Sequence, residues 1–246
     1  MSNPALASGT DSSPHAGWST LVVIPAFNEE ASIGMVVRAI PRSEVTAVVV
    51  VNNGSSDATA DVAKGAGAHV LTEPRKGYGS ACLLGIAYAL EQKADIIAFV
   101  DGDYSDFPEE LPSVLRPIRV TGHELVIGSR MLGAREHGAM LPQAIIGNWL
   151  ACSLIHLFWG YRFTDLGPFR AVRADALRRM KMSDHTFGWT VEMQIKAAKL
   201  GLKCTEVPVS YRKRIGTSKV TGTVAGSVKA SEKILYTILK YLVVRV

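Results

Sequence analysis

Short, β-branched apolar runs alternating with helix-spaced segments constrain this chain more than any other feature of its sequence. Leu21-Val22-Val23-Ile24, Val45 to Val51, Ala68 to Leu71, Ile96 to Val100 and Glu124 to Ile127 read as buried strands. Between them, Glu30 to Ile40 spaces Ile33, Val36, Val37 and Ile40 along one helical face. Gly79 to Glu91 is a helix rich in Ala and Leu, and Pro108-Glu109-Glu110 opens another. Strand and helix in this order predict an α/β fold, a mostly parallel sheet with helices on both faces. No internal repeat is visible, and 246 residues at 48% hydrophobic can bury the core of one such domain.

The ends of the runs carry the chemistry. Ile96 to Val100 stops at Asp101-Gly102-Asp103, which places two carboxylates at the carboxyl end of a strand, where open α/β sheets bind ligands. Gly102 lets the backbone turn, and acids at i and i+2 can offer oxygens to one hard cation, Mg²⁺ or Mn²⁺. A solvated Asp-Gly-Asp turn is the plain alternative. The second strand ends in Asn52-Asn53-Gly54-Ser55-Ser56-Asp57, a turn that leads into a helix capped by Ser56 or Asp57.

Charge is mild overall, with 27 basic and 22 acidic residues, which gives no argument for nucleic acid. It is concentrated late in the chain: Arg212 to Lys219 holds four cations and no acid, a patch suited to phosphates or an anionic membrane surface, or simply a solvated basic face. Cys82, Cys152 and Cys204 have no metal spacing and fit a reducing cytosol. Residues 1–18 lack a basic n-region and an apolar core, so they read as a disordered leader rather than a signal peptide. Gly138 to Phe158 contains no charged residue, but Pro142, Gln143, Asn148, Ser153 and His156 dilute it. A helix lying on a membrane or packing on the domain is favoured over a true span. Cys204 to Tyr211 reads as a strand that Pro208 places at an edge. At the end, Ile234, Leu235, Ile238, Leu239 and Leu242 share one face of an amphipathic helix. The boundaries expected are thus a leader to residue 18, one domain over 19–222 and the final helix over 223–246.

Taken together, Pro25-Ala26-Phe27-Asn28-Glu29, Asn52 to Asp57, Arg75-Lys76-Gly77-Tyr78-Gly79 and Asp101-Gly102-Asp103 stand in order at successive strand ends. The series resembles family 2 glycosyltransferases of the GT-A fold, and within them the dolichyl- and polyprenyl-phosphate mannose and glucose synthases. Ile127-Gly128-Ser129-Arg130, Asp165 to Arg170 and Arg214 to Lys219 extend the likeness over about residues 20 to 220. Two departures are Asn52-Asn53 in place of the paired Asp of many relatives, and Pro168 in place of a more usual Gly.

The resemblance implies that Pro25, Ala26, Asn28, Glu29, Asn53, Lys76 and Asp101 bind the nucleotide sugar, with Arg214 and Lys219 closing over the diphosphate. Asp101 and Asp103 would hold the cation, and Ser105 falls where relatives often place another metal-contacting group, with Asp106 as its substitute. Arg130 would hold the acceptor phosphate, helped by Arg135. The Asn53 amide, able to donate and accept, would favour a uracil or thymine edge over guanine, hence a UDP-sugar over GDP-mannose. The activity so implied is inverting transfer of a hexose to a polyprenyl phosphate by a peripheral enzyme on the cytoplasmic membrane face. A homo-oligomer or a separate membrane subunit stays open. An alcohol acceptor would instead need a base, for which Glu192 or Asp184 is placed, and Glu192 could equally orient the acceptor or cap a helix. A non-catalytic nucleotide-binding module is the reading from another class, and Gly65-Ala66-Gly67 does not make a dinucleotide fingerprint.

Overall fold

The computed structural model describes residues 17–216 and 224–244. Among them, β1 (Thr20–Ala26), β2 (Ala47–Asn52), β3 (His69–Thr72), β4 (Ile96–Phe99), β5 (Leu125–Ser129), β6 (Arg170–Arg173) and β7 (Cys204–Pro208) form one sheet in the order β3-β2-β1-β4-β6-β5-β7. The helices are α1 (Ile33–Ala39), α2 (Thr59–Gly65), α3 (Tyr78–Glu91), α4 (Leu111–Thr121), α5 (Pro142–Trp159), α6 (Ala174–Met180), α7 (Trp189–Lys199) and α8 (Val224–Val243). All neighbours in the sheet run parallel except β6, which lies antiparallel to both β4 and β5.

The pleat splits each central strand between two cores. Val23, Val49, Ile97 and Phe99 pack with Ile86 of α3 and Trp189 of α7, while Val22, Ile24, Val48, Val50 and Ile96 pack with Val37 of α1 and Leu115 of α4. Helices therefore cover both faces, as a near-continuous apolar strand requires. On the first face α3 lies very close to the sheet: a Cβ on Gly85 would stand 2.3 Å from Val23 Cγ1. The chain moves outward from β1 to β2 and β3, then returns to add β4 on the other side of β1. That reversal opens a crevice at the carboxyl ends of β1 and β4, where Pro25 and Asp101 sit.

One sequence expectation changes here, one holds, and one strand appears that the sequence did not announce. β6, only four residues with an Arg at each end, carries no periodicity long enough to read, and it is the sheet's antiparallel insertion. The edge position given to the Pro208 strand is found, β7 pairing only β5. The single apolar face expected of the last helix is divided: Ile238 and Tyr241 are buried, but Leu235, Leu239 and Leu242 are exposed. The uncharged stretch becomes α5, which packs on α7 and α8 through Ala151, Cys152 and Ile155 and turns Ile146, Trp149, Leu150 and Leu157 outward. No helix among the described residues is long and apolar enough to cross a membrane. The leader, save Gly17 and Trp18, and Lys219 lie outside the described residues.

Candidate active site

Two cavities open at the crevice and share a wall. The first, about 290 Å³, is lined by Pro25, Ala26, Phe27 and Glu29 from the end of β1, by Asn53, Lys76 and Gly77, and by Asp101 and Asp103. The second, about 440 Å³, is lined by Arg130, Tyr211 and Lys213, by the N-terminal half of α5 and by Ser231 and Ile234 of α8. Asp101 and Arg214 line both.

The shared wall is electrostatically crowded. Arg214 Nη2 lies 2.9 Å from Asp103 Oδ2, and Tyr78 Oη donates to Asp101 Oδ1 at 3.1 Å. Burial and then the Asp103 charge push the Asp101 carboxyl up to about 7, against the opposing pull of Arg214 and the Tyr78 hydroxyl. Asp106 is pushed well above the usual carboxylate range by its burial and by Asp101 beside it. One of its oxygens accepts from Asp101 N at 3.3 Å, and the other, Oδ1, has no hydrogen-bond partner. Two acids forced together at a cavity mouth with one Arg between them fit a divalent cation. No cluster of three His, Cys, Asp or Glu side chains forms a cation cage among the described residues. Asp101 and Asp103 would give a hard ion two carboxylates, with other positions open to phosphate oxygens and water, as Mg²⁺ sites commonly are.

Several other expected residues are placed differently. Ser105 is buried and faces Asp103 instead: its N and Oγ both donate to Asp103 Oδ1, at 2.9 and 2.5 Å, so it orients a carboxylate rather than presenting its own oxygen to an ion. Asn28 is not among the residues lining the first cavity. It adopts a left-handed φ of 53°, its N donates to Ser55 Oγ and its Oδ1 accepts from Ser56 N, which fastens the end of β1 to the turn after β2. Asn53 lines the cavity, but its Nδ2 donates to Glu73 O and Arg75 O, so no amide donor is left for a base. The ground for preferring uracil through that amide is thereby removed.

Glu192 is corrected most firmly. Its carboxylate is fully buried, lines neither cavity, and accepts from Ser183 N and Oγ, Asp184 N, Tyr241 Oη and Lys196 Nζ. Burial raises its pKa, but Lys196, Tyr241 and the Asp184 N–H outweigh burial and hold it below the usual value. A carboxylate so saturated has no lone pair aimed at a substrate. Asp184, the other candidate base, is paired with Lys233 Nζ at 2.8 Å and is held low in the same way, its hydrogen bonds outweighing burial.

Arg130 does face the second cavity. Its Nε and Nη2 grip both oxygens of the buried Asp165 at 2.8 and 2.7 Å, and its guanidinium lies 5.0 Å from the Tyr211 ring centroid. Burial opposes the charge, but Asp165 outweighs it and raises the pKa, fixing the fork with Nη1 outside the pair. Arg135 is exposed and touches the sulfurs of Met131 and Met140. Lys76 lines the first cavity, 5.9 Å from the Phe27 ring centroid. Tyr78, Phe187, Tyr211 and Lys213 line the site without having been singled out. Tyr78 stood inside the Arg75 to Gly79 motif and Lys213 inside the basic run from Arg212 to Lys219, while Phe187 and Tyr211 had no local signal.

Residues 21–179 match the family described as Glycosyl transferase family 2. A Mycobacterium tuberculosis protein named as a glycosyltransferase is 35% identical over 218 residues, 87% of this chain and 95% of its own length. The undecaprenyl-phosphate mannosyltransferase of Micrococcus luteus is 32% identical over 84% of this chain and 89% of its own. The dolichyl-phosphate hexose transferase of Haloferax volcanii is 31% identical over 84% and 88%. Among solved structures, glucosyl-3-phosphoglycerate synthase from Mycobacterium tuberculosis, in complex with Mn²⁺, UDP-glucose and phosphoglyceric acid, superposes with a TM-score of 0.76 at 22% identity. It covers 100% of this chain and 87% of that one, a likeness of fold.

Proposed function

This chain belongs to glycosyl transferase family 2, and on that premise we propose that it moves a hexose from a nucleoside diphosphate sugar to a polyprenyl phosphate, with inversion at the anomeric carbon. The observation that carries the acceptor class is the composition of the second cavity: among its described lining residues Asp101 is the single carboxylate, against Arg130, Lys213 and Arg214. An alcohol acceptor needs a base there, whereas a phosphate, with a second pKa near 6, arrives ionised and needs cations. Relatives named for undecaprenyl- and dolichyl-phosphate transfer support the same acceptor.

In this reading the first cavity takes the donor, with Glu29 accepting from ribose hydroxyls and Lys76 beside the base. Asp101 and Asp103 would hold Mg²⁺ or Mn²⁺, which when bound offsets charge on the departing diphosphate. Arg214, at the wall common to both cavities, leaves Asp103 to meet the diphosphate; Lys219 would join it. Arg130, clamped by Asp165, presents Nη1 to the acceptor phosphate and holds it in line with the anomeric carbon. The lipid would leave between α5 and α8, whose exposed Ile146, Trp149, Leu157, Leu239 and Val243 suit the interface of a bilayer, with the exposed Lys240 for anionic headgroups. A peripheral place on the cytoplasmic membrane face follows from that reading.

The test is a panel of radiolabelled UDP- and GDP-hexoses offered with polyprenyl phosphate or with 3-phosphoglycerate, with Mn²⁺ or with EDTA. Metal-dependent label in a butanol-extractable, mild-acid-labile product is expected. Label appearing only in the water-soluble phosphoglycerate product would move the acceptor to the soluble class. No transfer from any donor would return the chain to a binding role.

A further inference from the structure

We propose that Asn53 is a positioning residue, a clasp that shapes the base end of the donor cavity by folding residues 73–77 around its amide, and that it does not itself choose the nucleobase. The inference rests on the first cavity being the nucleotide site. Asn53 is 7% exposed, and every bond its side chain makes goes to one short backbone segment. Nδ2 donates to Glu73 O at 3.0 Å and Arg75 O at 2.8 Å, while Oδ1 accepts from Gly77 N at 2.8 Å. Both amide hydrogens are committed, so the side chain has no donor for the carbonyls of a pyrimidine. What it builds is a wall: Lys76 and Gly77 line the cavity beside it.

The opposite side of the segment leaves little freedom. Gly77 has a φ of 139°, and a Cβ there would stand 2.1 Å from His185 O. His185 in turn meets Arg75 Nη1 through Nε2 at 3.1 Å and accepts Ser80 N on its carbonyl at 3.0 Å. The segment is thus held from both sides, by the amide after β2 and by the loop before α7. The amide nitrogen is the part no carboxylate can replace, because Glu73 O and Arg75 O each need a hydrogen. An acid at 53 would face two carbonyls, and the wall would open for every base alike.

The experiment uses the full chain and compares Asn53→Asp, Asn53→Ala and Gly77→Ala with the wild type. Dissociation constants for UDP and for GDP are measured by calorimetry with Mn²⁺, and backbone hydrogen exchange is followed across residues 73–80. The clasp predicts that all three variants lose affinity about tenfold or more for both nucleotides, as lost hydrogen bonds imply. Their UDP-to-GDP ratio stays as in the wild type, and exchange in this segment speeds up while that of β1 and β4 does not. A ratio shifted about tenfold by Asn53→Asp, affinity lost without faster exchange, or affinity unchanged would each overturn it. The exchange arm needs no nucleotide, so a wild type that binds neither UDP nor GDP would sink the donor reading while the clasp is still decided.

Discussion

Two buried carboxylate clusters in this molecule have opposite electrostatic characters. At the crevice, Asp101 and Asp103 stand together with Asp106 behind them, and burial and like charge push Asp101 up to about 7. Under α8, Glu192 is equally enclosed, yet it has Lys196, the Tyr241 hydroxyl and two backbone N–H groups, and its pKa is lowered although burial alone would raise it. The first cluster is under-compensated, so its acids are poised to gain from a cation. The second is complete and holds the 183–184 loop to α7 and α8. Burial of an acid therefore does not mark a site; the balance of its partners does.

The largest way to break this contrast is Asp103→Ala. Turnover should fall about 10³-fold or more, the several kcal/mol a positioned cation contributes. The melting temperature should stay within a few degrees of wild type, as read by sugar-transfer assay and calorimetry. Retained turnover at saturating Mn²⁺ would show that the cluster holds no catalytic ion. Glu192→Gln should do the reverse: a loss of about 3 kcal/mol or more in stability by urea titration at neutral pH, because Lys196 is left buried without its counter-ion. Since the folded pKa of Glu192 is lowered, its contribution is present above the unfolded value near 4.5 and disappears as pH falls through the folded value. The variant and wild type should therefore converge in acid.

Asp101→Asn sharpens the comparison with a change of opposite sign. The folded pKa is raised, so the neutral form is favoured and stability is lost as pH climbs from about 4 toward 7. In EDTA at pH 8 the Asn variant should be more stable than wild type by about 1–3 kcal/mol, a figure reduced for the partly open face of the cluster, and should match it below pH 4. The smallest effect is expected at the rim. Trp149→Ser should weaken binding to anionic vesicles several-fold in sedimentation and leave turnover with a short, water-soluble prenyl phosphate within twofold. Equal loss in both assays would place Trp149 in the acceptor cavity instead.

Much of this was legible along the chain, for a reason that is local. Hydrophobic period and turn chemistry are properties of neighbouring residues, so the runs ending at Pro25, Asn52 and Val100 could be read as strands of a parallel sheet. The acids of Asp101-Gly102-Asp103 could likewise be set at a strand end. β6 escaped because four residues flanked by Arg carry no period, and its antiparallel place depends on room between β4 and β5. The resemblance singled out Arg130, which does line the second cavity, but its grip on Asp165, thirty-five positions away, was not legible.

The sequence by itself determined the alternation of strand and helix, and with it the place where acids and arginines would gather. Only the tertiary structure decided which of those side chains are available to a ligand. Asn28, Asn53, Ser105 and Glu192 have the right chemistry for substrate or metal, but each is committed to protein partners, in Asn53 to carbonyls 20 and 22 residues on. A buried polar atom must find a partner, and which partner reaches it first depends on segments that folding alone brings together.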